Sequence, residues 1–269
     1  MKNYIIVKLP IMEVIDKMKC YLDKYDVLKN FKTNEFQKVL IASDKTNEDK
    51  VVVINILNKE NTSSFISKSQ FPKGLNNLVH LEEANDEIIV VTDYLEGTSF
   101  STYINYLETT LKHKTSLAFE YLNKIVCYDA FNNCIKKTLI GESQVTFKDN
   151  YIYFNELLLI DELSETIDDA IINNEVANMI EKIIFSGKIT DISNNTDKYI
   201  IKLRSFIERL RTSNSFKCIN DICEAFRKVY LYDMYIDSDI NTTEDKIRDQ
   251  DIPSKSTVVA IDNVISEQQ

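Results

Sequence analysis

The residues able to do covalent or metal chemistry in this sequence are few and scattered. Two histidines, His80 and His113, and five cysteines, Cys20, Cys127, Cys134, Cys218 and Cys223, occur in 269 residues, with no CxxC pair among them. A structural zinc site needs closely spaced Cys and His ligands, and a disulfide framework needs a regular set of paired cysteines; neither pattern is met. The cysteines read instead as packed thiols of a reducing compartment. A serine hydrolase wants its nucleophile flanked by glycines on a sharp turn, and the one Gly-x-Ser, Gly141-Glu142-Ser143, lacks the second glycine. Cys127 and Cys134 have no histidine near them in sequence, and His80 sits in the strand-like run LVHLEE. Neither a thiol nucleophile nor a histidine base is indicated.

The bulk properties narrow the field further. A net charge of -10 with a pI near 4.9 argues against a nucleic-acid partner, because phosphate binding needs a surplus of cations on some face. The short basic pieces at Lys136-Lys137 and around Arg204, Arg209 and Arg211 fit solvated helix faces. No apolar run approaches the roughly 20 residues that span a bilayer. Residues 1–10 lack the apolar centre and small-residue cleavage site of a secretory signal. The expectation is a cytoplasmic chain with no membrane segment of its own. Hydrophobic residues at 44% and charged residues at 28% are those of an ordinary globular domain, and the 14 tyrosines and 13 phenylalanines supply core volume where tryptophan is absent.

The elements that would position a site follow from periodicity. Val14, Ile15, Met18, Tyr21, Leu22 and Tyr25 lie at helical spacing after Pro10, predicting a short amphipathic helix over 10–25. The runs YDVLKNFKT, FQKVLIASDK and KVVVINIL, separated by polar TNE and TNED pieces, predict three consecutive antiparallel strands. Between Asn61 and Asn77 only a short or irregular helix fits. LVHLEE and EIIVVTDYL predict two more strands around Ala84-Asn85-Asp86, giving five in all. Helices are then predicted over Thr98 to Leu111 and Ser116 to Phe131, the second ending in Asn132-Asn133. A hairpin follows around Asp149-Asn150 in VTFKDNYIYFNELLLI. Next come a helix after Asp168-Asp169 that stops at Gly187, and helices over Thr196 to Leu210 and Ser215 to Tyr232. Beyond Asp237 the composition is polar and charged, as in a disordered or partner-ordered tail.

Five strands, a linker and then a helical half with one internal hairpin resemble the protein kinase superfamily. VVVINIL at 51–57 resembles the family's VAIKIL strand, and LNNLVHLEEANDEIIVVTDYLEG resembles its stretch leading into the linker. VTFKDNYIYF resembles the hairpin after the catalytic loop, and IIFSGK at 183–188 resembles the end of its long buried helix. The likeness covers roughly residues 25–232 by order more than by identity. It implies an α+β, protein kinase-like two-lobed fold with a small five-stranded antiparallel N-lobe (26–95) and a mostly helical C-lobe (96–236). An N-terminal amphipathic helical segment (1–25) and a flexible acidic tail (237–269) flank them. Asp93-Tyr94-Leu95 would be the hinge, with Gly97 letting the backbone turn before the next helix.

The residues that would do the family's chemistry depart from its pattern. Phosphoryl transfer requires a glycine-rich loop, a lysine held by a glutamate, a catalytic aspartate, and an asparagine and an aspartate for magnesium. No glycine lies between Tyr25 and Val53, so the loop at Lys32-Thr33-Asn34-Glu35 lacks the residues that let backbone approach phosphates. Asn55 stands where the resemblance puts the lysine, and no acidic residue between Asn61 and Leu81 could serve as its partner.

Two alignments of the catalytic loop are open. In the first, Leu139 takes the place of the catalytic aspartate, Gln144 that of the metal-binding asparagine, and Asn155-Glu156-Leu157 that of the DFG triplet. In the second, Asn150 and Asp161 are the magnesium ligands and Val145 stands at the base. The first fits better, because Asp149-Asn150 sits at a hairpin turn between strands of matching length.

The resemblance therefore implies a pseudokinase from bacterial Ser/Thr-kinase stock. It would act as a cytoplasmic interaction, scaffold or regulatory module with no cofactor, and with protein partners that the sequence does not identify, a second copy of the chain being one candidate. Its degenerate cleft would be formed by Asn55, Asp93, Tyr94, Leu95 and Asn155. Two alternatives stand beside it. One is a divergent active kinase binding ATP and magnesium through Asn150 and Asp161, with Lys50 or Lys59 displaced toward the phosphates. The other is the cytoplasmic pseudokinase part of a bacterial membrane secretion or signalling complex.

Overall fold

A computed structural model describes residues 23–229, apart from 85, 165, 166, 192 and 193. Of the helix expected over 10–25, residues 10–22 lie outside the described residues and its last residue does not belong to a helix, since Tyr25 opens the first strand; the tail expected over 237–269 lies outside the described residues. Five strands form one antiparallel sheet: β1 (Tyr25–Thr33), β2 (Gln37–Asp44), β3 (Asn47–Asn58), β4 (Leu78–Glu83) and β5 (Glu87–Asp93). The sheet order is β1-β2-β3-β5-β4, so β1 and β4 are its edges. The branched runs read from the sequence are these strands. Alternation in β3 sends Val52, Ile54 and Ile56 to one face and Val53, Asn55 and Leu57 to the other. The 59–74 stretch holds only single helical turns, Lys59–Thr62, Lys68–Gln70 and Phe71–Gly74, matching the weak period there.

After the sheet come β6 (Thr98–Ser99), α1 (Phe100–Tyr106) and β7 (Glu108–Thr109). The single helix expected over 98–111 is therefore cut short: Leu107 takes an extended conformation, and β7 pairs in parallel with β10 (Lys188–Ile189). Helix α2 (Leu111–Ile125) starts on Thr110, whose side chain accepts from the His113 N–H, and passes into a 3-10 segment, Val126–Ala130. Asn132 does not end that helix. Its side chain accepts from the Ile135 N–H and starts α3 (Asn133–Ile140), an element the sequence reading lacked.

Strands β8 (Val145–Lys148) and β9 (Tyr151–Phe154) make the hairpin, with Asp149 and Asn150 at φ 52° and 66° in its turn. The helices α4 (Asp169–Phe185), α5 (Asn194–Thr212) and α6 (Ile219–Lys228) complete the helical half. Gly187, at φ +66°, is where the chain leaves α4; a Cβ there would lie 2.4 Å from the Leu107 carbonyl oxygen. Gly97 is required for a different reason. A Cβ at that position would meet the Phe147 carbonyl oxygen at 2.5 Å, so glycine lets the chain pass against β8.

The helices and one face of the sheet share a continuous apolar core. Leu57, Ile88 and Val90 from the sheet and Phe71 from the 59–74 stretch join Tyr121, Leu139, Phe154, Val176, Ile180 and Phe226 in it. Phe154 stacks on Tyr121 at 5.9 Å between ring centres and meets Tyr128 edge-on at the same distance. Burying side chains of this size is what holds the hairpin against the helices.

Candidate functional site

The hairpin delivers the chain after Phe154 directly beneath the inner face of the sheet, and four buried polar side chains fix it there. Gln144, fully buried, acts as an adaptor. Its Oε1 accepts from the Leu157 N–H at 2.8 Å, while its Nε2 donates to the carbonyls of Leu157 at 2.7 Å and Thr138 at 2.8 Å. Asn55, on the inner face of β3, accepts at Oδ1 from the Leu158 N–H at 3.0 Å and donates from Nδ2 to the Glu156 carbonyl at 3.4 Å. Asn155 clamps the stretch that follows β5. Its Oδ1 accepts from the Leu95 N–H at 2.9 Å, and its Nδ2 donates to the Leu95 carbonyl at 3.4 Å.

Glu156 is the fourth, with no exposed surface and a left-handed backbone at φ 51°. That conformation turns its carboxylate away from the sheet and onto the Asn76-Asn77 corner. It accepts there from the Asn76 N–H at 2.7 Å, the Asn76 Nδ2 at 3.1 Å, the Asn77 N–H at 3.0 Å and the Tyr128 hydroxyl at 3.2 Å. Burial pushes its carboxyl pKa above the usual range, and the hydrogen bonds oppose that shift without reversing it. Burial likewise raises the neighbouring Cys127 thiol to about 12, with the Glu156 charge adding to it. Cys127 is thus held as an inert thiol.

Beyond Glu156 the segment stays against the sheet. Leu157 packs with Val39 of β2 and Val53 of β3 in a small apolar cluster, against which Tyr94 and Leu159 also pack. The Ile160 carbonyl accepts from Asn34 Nδ2 at 2.7 Å, and Asp161 pairs with Lys32 Nζ at 2.5 Å. The β1–β2 turn therefore closes over residues 157–161. Asn34 is rigid in this role, since its Oδ1 also accepts from the Phe36 and Gln37 N–H groups.

The residues singled out from sequence divide into two groups. Asn55, Tyr94, Leu95 and Asn155 come together around the 155–158 segment. Asp93 sits at their margin, in an ion pair with Lys50 at 2.8 Å. That contact raises the lysine's pKa, first through the hydrogen bond. Asn150 and Asp161 have unrelated partners: Asn150 accepts from the Tyr103 hydroxyl at 3.0 Å at the hairpin tip, whereas Asp161 faces β1. Lys59 pairs with Glu83 at 2.7 Å, and Leu139 is buried in the apolar core. His80 is exposed on β4 beside Glu82. Among the described residues no group of three His, Cys, Asp or Glu side chains could hold a metal ion. No helix among them is long and apolar enough to cross a membrane.

The sequence reading placed Gln144 and Glu156 only as substitutes in a lost motif and missed their work as hydrogen-bonding hubs. The available signal was a lone acid inside the otherwise apolar and aromatic run YIYFNELLLI, since a carboxylate buried there requires donors.

No family model matches this chain, and no curated protein matches it. Among solved structures, it is similar to two double-mutant forms of the kinase domain of Mycobacterium tuberculosis PknI. Each is 9% identical over 77% of this chain and 96% of the other, with TM-scores of 0.43 and 0.46. Likeness of that degree says nothing about chemistry, which rests on the side chains above.

Proposed function

We propose that this chain is a protein kinase-like domain, divided near residue 95 into two lobes, that has given up phosphoryl transfer and works as a protein-interaction or regulatory module. The observation that carries the reading is the 155–161 segment. It lies in the space bordered by the three places where the family resemblance puts the phosphate loop (32–35), the phosphate lysine (Asn55) and the hinge (93–95). Leu157 fills the apolar part of that space, and the carboxamide of Asn55 is committed at both ends to the segment's backbone. A triphosphate entering there would have to displace these contacts without a cationic side chain from β3 to meet its charge.

The order of elements supports the kinase-like part of the reading: five antiparallel strands, a linker, helices, then a hairpin whose following residues reach back to the sheet. The two lysines that could stand in for the missing one, Lys50 and Lys59, and Lys32 of β1 support the loss of activity, because each is engaged by a carboxylate. A filled cleft leaves the outer surfaces to carry function, which is the sense in which the domain would serve protein partners. A cytoplasmic setting accords with the acidic charge and with cysteines whose spacing forms no paired set.

A thermal-shift titration of the full chain with ATP and Mg²⁺ tests the proposal. The expected result is no saturable shift up to millimolar nucleotide. A saturable shift that disappears in Asp161→Ala would favour the divergent active kinase instead.

A further inference from the structure

One buried carboxamide on the inner face of the sheet has nothing to bond. Gln37, the first residue of β2, is 3% exposed, yet neither its Nε2 nor its Oε1 has a hydrogen-bond partner. A buried amide left unpaired is costly, and folded proteins keep few of them. Its position in the sheet shows what it faces. β2 and β3 pair with Gln37 opposite Leu57 and Val39 opposite Asn55, so Gln37 and Asn55 are diagonal neighbours on one face. Asn55 spends its carboxamide on main chain, accepting from the Leu158 N–H and donating to the Glu156 carbonyl. Diagonal neighbours stand about 7 Å apart, and an extended chain advances ~6.6 Å in two residues. Gln37 therefore stands one such step beyond Leu158, beside residue 160. Another group holds that residue: the Ile160 carbonyl accepts from Asn34 Nδ2, and the Gln37 N–H donates to Oδ1 of the same Asn34 side chain.

We infer that residues 159–161 are a strap with two seats: one on Asn34 and Lys32, and a second in which the main chain of residue 160 pairs with the Gln37 carboxamide. The two halves of the 155–161 segment are held unequally, which confines the motion to the outer half. Residues 155–158 are tied by Gln144, Asn55 and Asn155, and by the Glu156 carboxylate on Asn76 and Asn77. Residues 159–161 are held by the packing of Leu159, the single bond from Asn34, and the ion pair of Lys32 with Asp161, whose side chain is 84% exposed. An ion pair that exposed adds little, so the outer half is the part that opens first. Each seat has its own cost. The first leaves Gln37 unpaired; the second satisfies Gln37 but gives up the Asn34 bond and the Lys32–Asp161 pair. Costs that offset in this way leave the two arrangements close in energy, the condition under which a regulator can choose between them.

The test is NMR relaxation dispersion on the full chain, with no nucleotide present. In unaltered protein the amides of residues 159–161 and the Gln37 side-chain amide should share one exchange process on the microsecond-to-millisecond scale, with the Leu157 and Leu158 amides outside it. Gln37→Met, which keeps the length of the side chain and removes its polar atoms, should abolish that exchange and raise the melting temperature by several degrees. Asn34→Ala should move the signals of 159–161 to those of the minor state and shift the Gln37 amide protons downfield as the new pair forms. Flat dispersion profiles in the unaltered protein would overturn the inference, and so would exchange that persists in Gln37→Met. A Gln37→Met protein that melts below the unaltered one would also overturn it, since the carboxamide would then have had a partner. None of these outcomes bears on nucleotide binding, so this proposal and the functional one fail separately.

Discussion

The two faces of β3 are built on opposite principles. On the outer face Val52, Ile54 and Ile56 lie in a cluster whose side chains are apolar but for the Tyr25 hydroxyl. On the inner face Asn55 sits between Val53 and Leu57, and the contacts around it are directional: carboxamide to backbone, carboxylate to amide, each with a fixed partner. Apolar packing tolerates changes of shape at modest cost, but a buried hydrogen-bond network accepts one arrangement of its partners. The difference indicates that the outer face contributes stability and that the inner face fixes the path of one particular segment.

Ways to break the inner arrangement rank by the expected loss of stability. Phe154→Ala, at the point where the hairpin meets Tyr121 and Tyr128, should cost about 4 kcal/mol in urea unfolding. Next comes Glu156→Ala, which strands two backbone N–H groups, a carboxamide and a hydroxyl. At about 1–3 kcal/mol for a buried group left unpaired, and with partial rescue by water, a loss near 3 kcal/mol is expected. Asn55→Leu removes both bonds from β3 to the segment but keeps the volume, so about 1–2 kcal/mol should be lost. The surface pair Lys32–Asp161, with Asp161 mostly exposed, should matter least: Asp161→Asn should change stability by less than about 1 kcal/mol.

Glu156 also gives the comparison a pH dependence. Its folded pKa lies above the ordinary value of about 4.3, so the folded state holds the proton more tightly than the unfolded chain does. The stability it contributes is therefore complete below that ordinary value and is lost as pH rises through the elevated folded pKa. Glu156→Gln cannot titrate. Relative to wild type it should gain stability as pH rises from 4 through this window, measured by urea unfolding at successive pH values. A constant difference between the two proteins would show that the buried carboxyl is not perturbed.

The sheet and the hairpin were legible in the sequence because their signals are local. Branched runs with period two mark the strands, and Asp149-Asn150 tolerates the left-handed backbone of the turn. Helix α3 was not legible, because Asn132 serves equally well as an end signal or as an N-cap; a 3-10 segment before it removed the gap that would have separated two helices. The inner network was half visible. Asn55 and Asn155 stood out as departures from a known pattern, but their partners lie 103 and 60 residues away, and no local rule reaches that far. Glu156 looked like any surface acid, since charge in a sequence carries no mark of burial.

The most direct measurement of the central claim is transfer of labelled γ-phosphate from ATP, with Mg²⁺ present, to the purified full chain itself and to a generic protein substrate. The account predicts incorporation indistinguishable from a no-protein control, because on the proposed reading residues 155–161 lie where a nucleotide would bind. Incorporation above that control, abolished by Asp161→Ala, would contradict it.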